Sequence, residues 1–176
     1  MMYREINKYI IKICSILNLA IPEVYYIYDK KDFILRNSSF DAISYDKRDV
    51  GVDVSSIKYL YNENTLYINT SLFSRKNACY ALLLRELRLY YQLYQIELYN
   101  NGKETDEKEH VIKQWIYSRD KKYNTNSNHM PSENDACAFS TIIMQKDFDI
   151  KPNFKHIIYK DTFINKLIEL RKQYYK

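Results

Sequence analysis

Any chemistry this chain performs must come from a few polar side chains lodged in apolar sequence. Residues 77–100 hold the densest such stretch. There Leu82, Leu83, Leu89, Tyr90, Leu93 and Ile96 surround Arg85, Glu86 and Arg88, with Tyr91 and Gln92 following. Leu, Ala, Arg, Glu and Gln favour helix. No Pro or Gly interrupts them, so the spacing predicts one long helix over 77–100. A helix apolar on most sides is a buried one, and buried charge is costly unless paired. This helix must therefore show its charges to a cleft or meet a partner there. Glu133 and Asp135 stand just ahead of a second apolar run containing Ala136, Phe139, Ile142, Ile143 and Met144. Two readings follow for these carboxylates. Either they bind and activate, or Glu86 pairs along its helix with Arg85 or Arg88 while Glu133 and Asp135 cap a helix start. Free N–H groups and the helix dipole favour acids at that end.

The other chemical side chains are scattered. His110, His129 and His156 include no pair four residues apart, so no helical metal pair exists. A set of Glu86, His129 and Glu133 is the one metal arrangement the sequence offers. Cys14, Cys79 and Cys137 match neither a disulfide framework nor a zinc-finger spacing; Cys14 and Cys79 read as small core residues. With Gly51 and Gly102 alone, Gly-rich phosphate cradles are excluded, and no G-x-S-x-G occurs. The net charge of +5 is spread along the chain without a block of five like charges. It gives only a weak signal for nucleic acid. No run approaches the 18 apolar residues of a membrane span, and a reducing cytoplasm is the simplest compartment for three unpaired thiols.

The chain length of 176 residues fits one domain. Residues 3–19 read as an amphipathic helix, with Ile6, Tyr9, Ile10, Ile13, Ile16 and Leu17 inward. Val24–Tyr28 is a short strand, and Phe40–Tyr45 reads as another. Ile57–Tyr61 and Thr65–Asn69 flank Asn62-Glu63-Asn64, the pattern of a hairpin. Ser71–Ser74 leads into the long helix, which stops at Asn100-Asn101-Gly102. Residues 105–121 read as a polar helix with an apolar seam of Val111, Ile112, Trp115 and Ile116. A loop over 122–131 precedes a helix opened by Ser132, whose spacing to Asp135 matches a weak capping box. Asp161 caps a last helix, with Phe163, Ile164, Leu167, Ile168 and Leu170 inward.

This order resembles the zincin-like peptidases of the ImmA/IrrE kind, whose central helix reads H-E-L-R-H-x-Y-Q. In H-E-x-x-H two His one turn apart bind zinc and the Glu is the general base. Here Glu86-Leu87-Arg88 and Tyr91-Gln92 keep the pattern, while Arg85 and Leu89 stand at the two His positions. The strand Thr65, Leu66, Tyr67, Ile68 and Asn69 is similar to the family's substrate-edge strand. Glu133-Asn134-Asp135-Ala136-Cys137-Ala138-Phe139 is similar to the segment that supplies the third ligand.

The resemblance implies a zincin-like minimal α+β domain over 1–176, a small sheet packed on helix 77–100 with other helices around it. Glu86 would be a vestigial base, with Arg85, Leu89, Glu133 and Asp135 at degenerate ligand positions. The implied function is that of a pseudo-peptidase without a cofactor, binding a protein or peptide, with an extended segment added along 65–69. Arg85 would fill the place of the metal and pair with Glu133 or Asp135. Relatives travel on phages and conjugative elements, and some cleave repressors, which implies a regulatory role on a mobile element. The alternatives are a zinc peptidase with relocated ligands and a weak nucleic-acid binder.

Overall fold

The computed structural model describes residues 2–28, 57–119, 131–154 and 160–175. The strand expected over 40–45, the turn at Gly51, His129 with most of its loop, and His156 lie outside the described residues. The described residues form an α+β protein of five α-helices and one three-stranded mixed sheet. The helices are α1 (Met2–Ile16), α2 (Lys76–Asn100), α3 (Glu109–Arg119), α4 (Pro131–Phe148) and α5 (Lys160–Tyr174). The strands are β1 (Glu23–Ile27), β2 (Ile57–Leu60) and β3 (Thr65–Asn69). Among the described residues no helix is long and apolar enough to cross a membrane. The chain divides into two compact units, Met1–Leu87 and Arg88–Lys176, and the boundary falls inside α2.

In the first unit, α1 buries Ile6, Tyr9, Ile10 and Ile13 at the expected helical steps. Ile16 departs from the expectation at 41% exposed, because the helix ends there and the chain turns away. Asn18 takes a left-handed φ of 52°. Its N–H reaches Ser15 O, and Leu19 N–H reaches Cys14 O, the paired bonds that close a helix C-terminus. β2 and β3 form the expected antiparallel hairpin, paired Ile57 to Ile68 and Leu60 to Thr65. Its turn is a short 3-10 segment, Tyr61–Glu63, closed by Asn64 at φ 48°, a conformation Asn tolerates.

β1 pairs with β3 in parallel, giving the order β1-β3-β2. That order corrects the reading of Thr65–Asn69 as an edge strand. β3 is the central strand, paired on both sides, so its backbone is not free to take an added peptide.

In the second unit, α2 ends in the same manner as α1. Gly102 sits at φ 64°; its N–H bonds Tyr99 O, and Lys103 N–H bonds Leu98 O. α3 starts at Glu109 rather than at 105 because the acids ahead of it are engaged elsewhere: Asp106 with Gln95 and Glu107 with Arg88. Its seam of Val111, Ile112 and Trp115 is buried as expected. α4 opens with Pro131 in its first turn, where a missing N–H costs nothing. The capping box is not formed by side chains. Ser132 is buried, and its hydroxyl meets that of Ser118 at 2.9 Å. α5 buries Leu170, but Ile164 and Ile168 are 48% and 52% exposed. The buried stripe of α5 is narrower than its apolar sequence.

Candidate functional site

The ten residues from Cys79 to Arg88 are all buried, so the charges of α2 must be met by protein. In the first unit, Arg85 and Glu86 are 3% and 1% exposed. The Arg85 guanidinium donates to Glu86 Oε1. Glu86 Oε2 accepts the backbone N–H of Tyr59 at 3.2 Å. Both oxygens of the carboxylate are thus engaged, and they tie the helix to β2, an edge strand of the described sheet. A general base needs a free lone pair aimed at a water or a substrate proton. This carboxylate is 1% exposed and turns one oxygen to a guanidinium and the other to a strand N–H.

In the second unit the polar centre is Arg88, fully buried. Its Nε and Nη2 donate to Asp135 Oδ2 and Oδ1 at 2.8 and 3.1 Å, the forked geometry that suits a carboxylate. Nη2 also reaches Glu107 Oε1 at 3.1 Å, and Nη1 reaches the Tyr174 hydroxyl at 3.4 Å. The guanidinium lies 4.5 Å from the Tyr91 ring centre and 5.4 Å from that of Phe139, close enough for cation–π attraction. Gln92, one turn along α2, donates to Asp135 Oδ2 at 2.8 Å and to Ser132 O at 2.9 Å. Its own oxygen accepts from Arg119. Lys166 of α5 approaches Asp135 Oδ1 at 3.3 Å.

Burial alone would push the Asp135 carboxyl up. The Arg88 guanidinium, Lys166 and the Gln92 amide outweigh it and hold the group below the usual carboxylate range. Burial would likewise strip charge from Arg88, and Asp135 more than offsets it. Burial raises the Tyr91 and Tyr174 phenols, so both stay protonated at neutral pH.

The expected site residues are distributed as follows. Glu86 is held by Arg85 and Tyr59, and Leu89 is half-buried on α2. Asp135 is not a helix cap: its partners are side chains of Arg88, Gln92 and Lys166, and it is 1% exposed. The guanidinium against Asp135 is that of Arg88, while Arg85 is bonded to Glu86. Glu133 Oε1 lies 3.5 Å from the Cys137 thiol. His110 is exposed in the first turn of α3. Among the described residues no group of three His, Cys, Asp or Glu side chains is placed to hold a metal ion. Sequence reasoning overlooked Arg88, Gln92, Glu107 and Lys166 as a set. One signal was present: Arg88 and Gln92 share a helix face at a four-residue step, and Asp135 is the one acid that borders the apolar run of α4 directly.

No family model matches the chain, and no curated protein or solved structure matches it.

Proposed function

We propose that the chain is a non-hydrolytic binding protein, a pseudo-peptidase on a zincin-like plan that engages a protein or peptide. One observation carries the non-hydrolytic part of this reading: the Glu86 carboxylate is buried, one oxygen bonded to Arg85 and the other to the Tyr59 N–H. The order of elements supports the zincin-like plan, with a helix and a small mixed sheet ahead of the long helix that bears Arg85-Glu86-Leu87-Arg88-Leu89. Zinc makes a bound water acidic enough to attack at neutral pH, and the motif here offers Arg85 and Leu89 where that metal would need its two His. The helix charges are a structural inheritance put to mechanical use.

The test is cleavage of a mixture of unstructured peptides by the full chain with added zinc, read by mass spectrometry and compared with Glu86→Gln. The reading predicts no cleavage by either protein. It also predicts that Glu86→Gln loses about 3 kcal/mol of stability, the lower end of the range for removing one member of a buried ion pair. Cleavage that disappears in Glu86→Gln would overturn it.

A further inference from the structure

α5 carries two seams, and the packing of the second unit uses one of them. On its inward side Leu170 is buried, and the Tyr174 ring meets Phe139 of α4 edge to face at 5.3 Å. On its outward side stand Asp161, Ile164, Ile168, Arg171 and Tyr175, all of them exposed. They recur at alternating steps of three and four residues, the spacing of the stripe along which one helix packs on another. A solitary apolar side chain at a surface is ordinary. Here two Ile lie one turn apart with a charge of opposite sign at each end.

Those charges say what the stripe fits. Asp161 is in the first turn of α5 and Arg171 in the last. The midpoint of Ile164 and Ile168 is position 166, and the midpoint of Asp161 and Arg171 is the same position. A two-fold axis through that point lays a second copy of α5 antiparallel on the first. It sets Ile164 on Ile168 of the second copy and Asp161 on its Arg171. Both contacts occur twice, as a self-complementary interface requires. Asp161 and Arg171 stand about 15 Å apart along the helix, and the reversal exchanges their places. A parallel pair would set acid on acid and guanidinium on guanidinium, with the two helix dipoles side by side in the same sense. A stripe built for an unrelated partner has no need of this shared midpoint.

We propose that the chain self-associates through α5, as an antiparallel two-fold pair of helices centred between Ile164 and Ile168. A single helix pair is small beside the roughly 1,200–2,000 Å² buried in a stable complex, so this dimer is weak and forms at high concentration. The proposal does not depend on the reading of Glu86 or on any likeness to peptidases.

The experiment is sedimentation equilibrium of the full chain from about 10 µM to about 1 mM. Salt of about 0.15 M screens the +5 charge of each chain. The expected result is a monomer–dimer equilibrium. Ile168→Gln should weaken it by about tenfold or more, because two apolar side chains leave the contact, and should leave the melting temperature unchanged. Asp161→Arg makes both charged positions cationic, and Arg171→Asp makes both acidic. Each alone should associate about tenfold more weakly than the wild type. An equimolar mixture of these two variants should associate as well as the wild type, because every charge then meets its opposite. Circular dichroism checks that each variant is folded, and the Ile168→Gln comparison decides if a charge variant is not. A chain that stays monomeric at about 1 mM, a dimer that Ile168→Gln leaves as tight as before, or a mixture no tighter than its two folded components would overturn the proposal.

Discussion

Arg88 carries a full charge at zero exposure, and its partners decide how the second unit responds to acid. Removing one member of a buried pair leaves the other uncompensated, at about 3–5 kcal/mol. Asp135→Asn should therefore cost about 3 kcal/mol, near the lower end because Glu107 still meets Arg88. The pH dependence has a definite sign. The Asp135 carboxyl sits below the usual range in the folded chain, so the unfolded chain takes up the proton first. Its contribution is complete above the unfolded value of about 4 and is lost as pH falls from there through the folded value. Urea unfolding of the wild type should show stability falling below about pH 4, and Asp135→Asn should flatten that fall. An unchanged acid limb in the variant would show that other carboxylates carry it. The sequence spelled Asp135 as a capping residue because a cap and a buried counter-ion look alike locally. Both are acids at the head of a helix, and only the Arg88 that lies 47 residues away distinguishes them.

At the scale of elements, helices and the hairpin were legible where local rules decide. The hairpin followed from two β-rich runs around Asn62-Glu63-Asn64, and Asn64 adopts the left-handed turn that spacing required. The end of α2 followed from Asn101-Gly102. Gly102 holds φ 64°, and a Cβ there would meet nothing within 4 Å. Gly102→Ala should thus cost about 1–2 kcal/mol from backbone strain alone, measured by chemical denaturation. A neutral effect would mean that the helix end relaxes to another closure. The position of β3 was not legible. Its place between β1 and β2 depends on a parallel pairing of Glu23–Ile27 with Thr65–Asn69, and no local pattern in either strand encodes a partner some forty residues away. The exposure of Ile164 and Ile168 was hidden for a similar reason: an apolar stripe shows that a helix has an inward side, and its neighbours set how wide that side is.

At the scale of the whole molecule, α2 gives its first half to one compact unit and its second half to the other. Each half brings charge into apolar surroundings and bonds it to neighbouring groups there. Arg85 and Glu86 secure a strand in the first, and Arg88 with Gln92 gathers α4, α5 and the 106–107 segment in the second. The long helix was plain in the sequence, as were its charges. What they do was not, because the five letters Arg85 to Leu89 suit either a metal site with relocated ligands or a set of internal ties. The measurement that separates these most directly is zinc content of untagged protein, taken by elemental mass spectrometry after zinc loading and dialysis. An account in which Glu86 and Arg88 are ties predicts no bound zinc and a melting temperature indifferent to chelator. About one zinc per chain, with a melting temperature lowered by chelator, would contradict it.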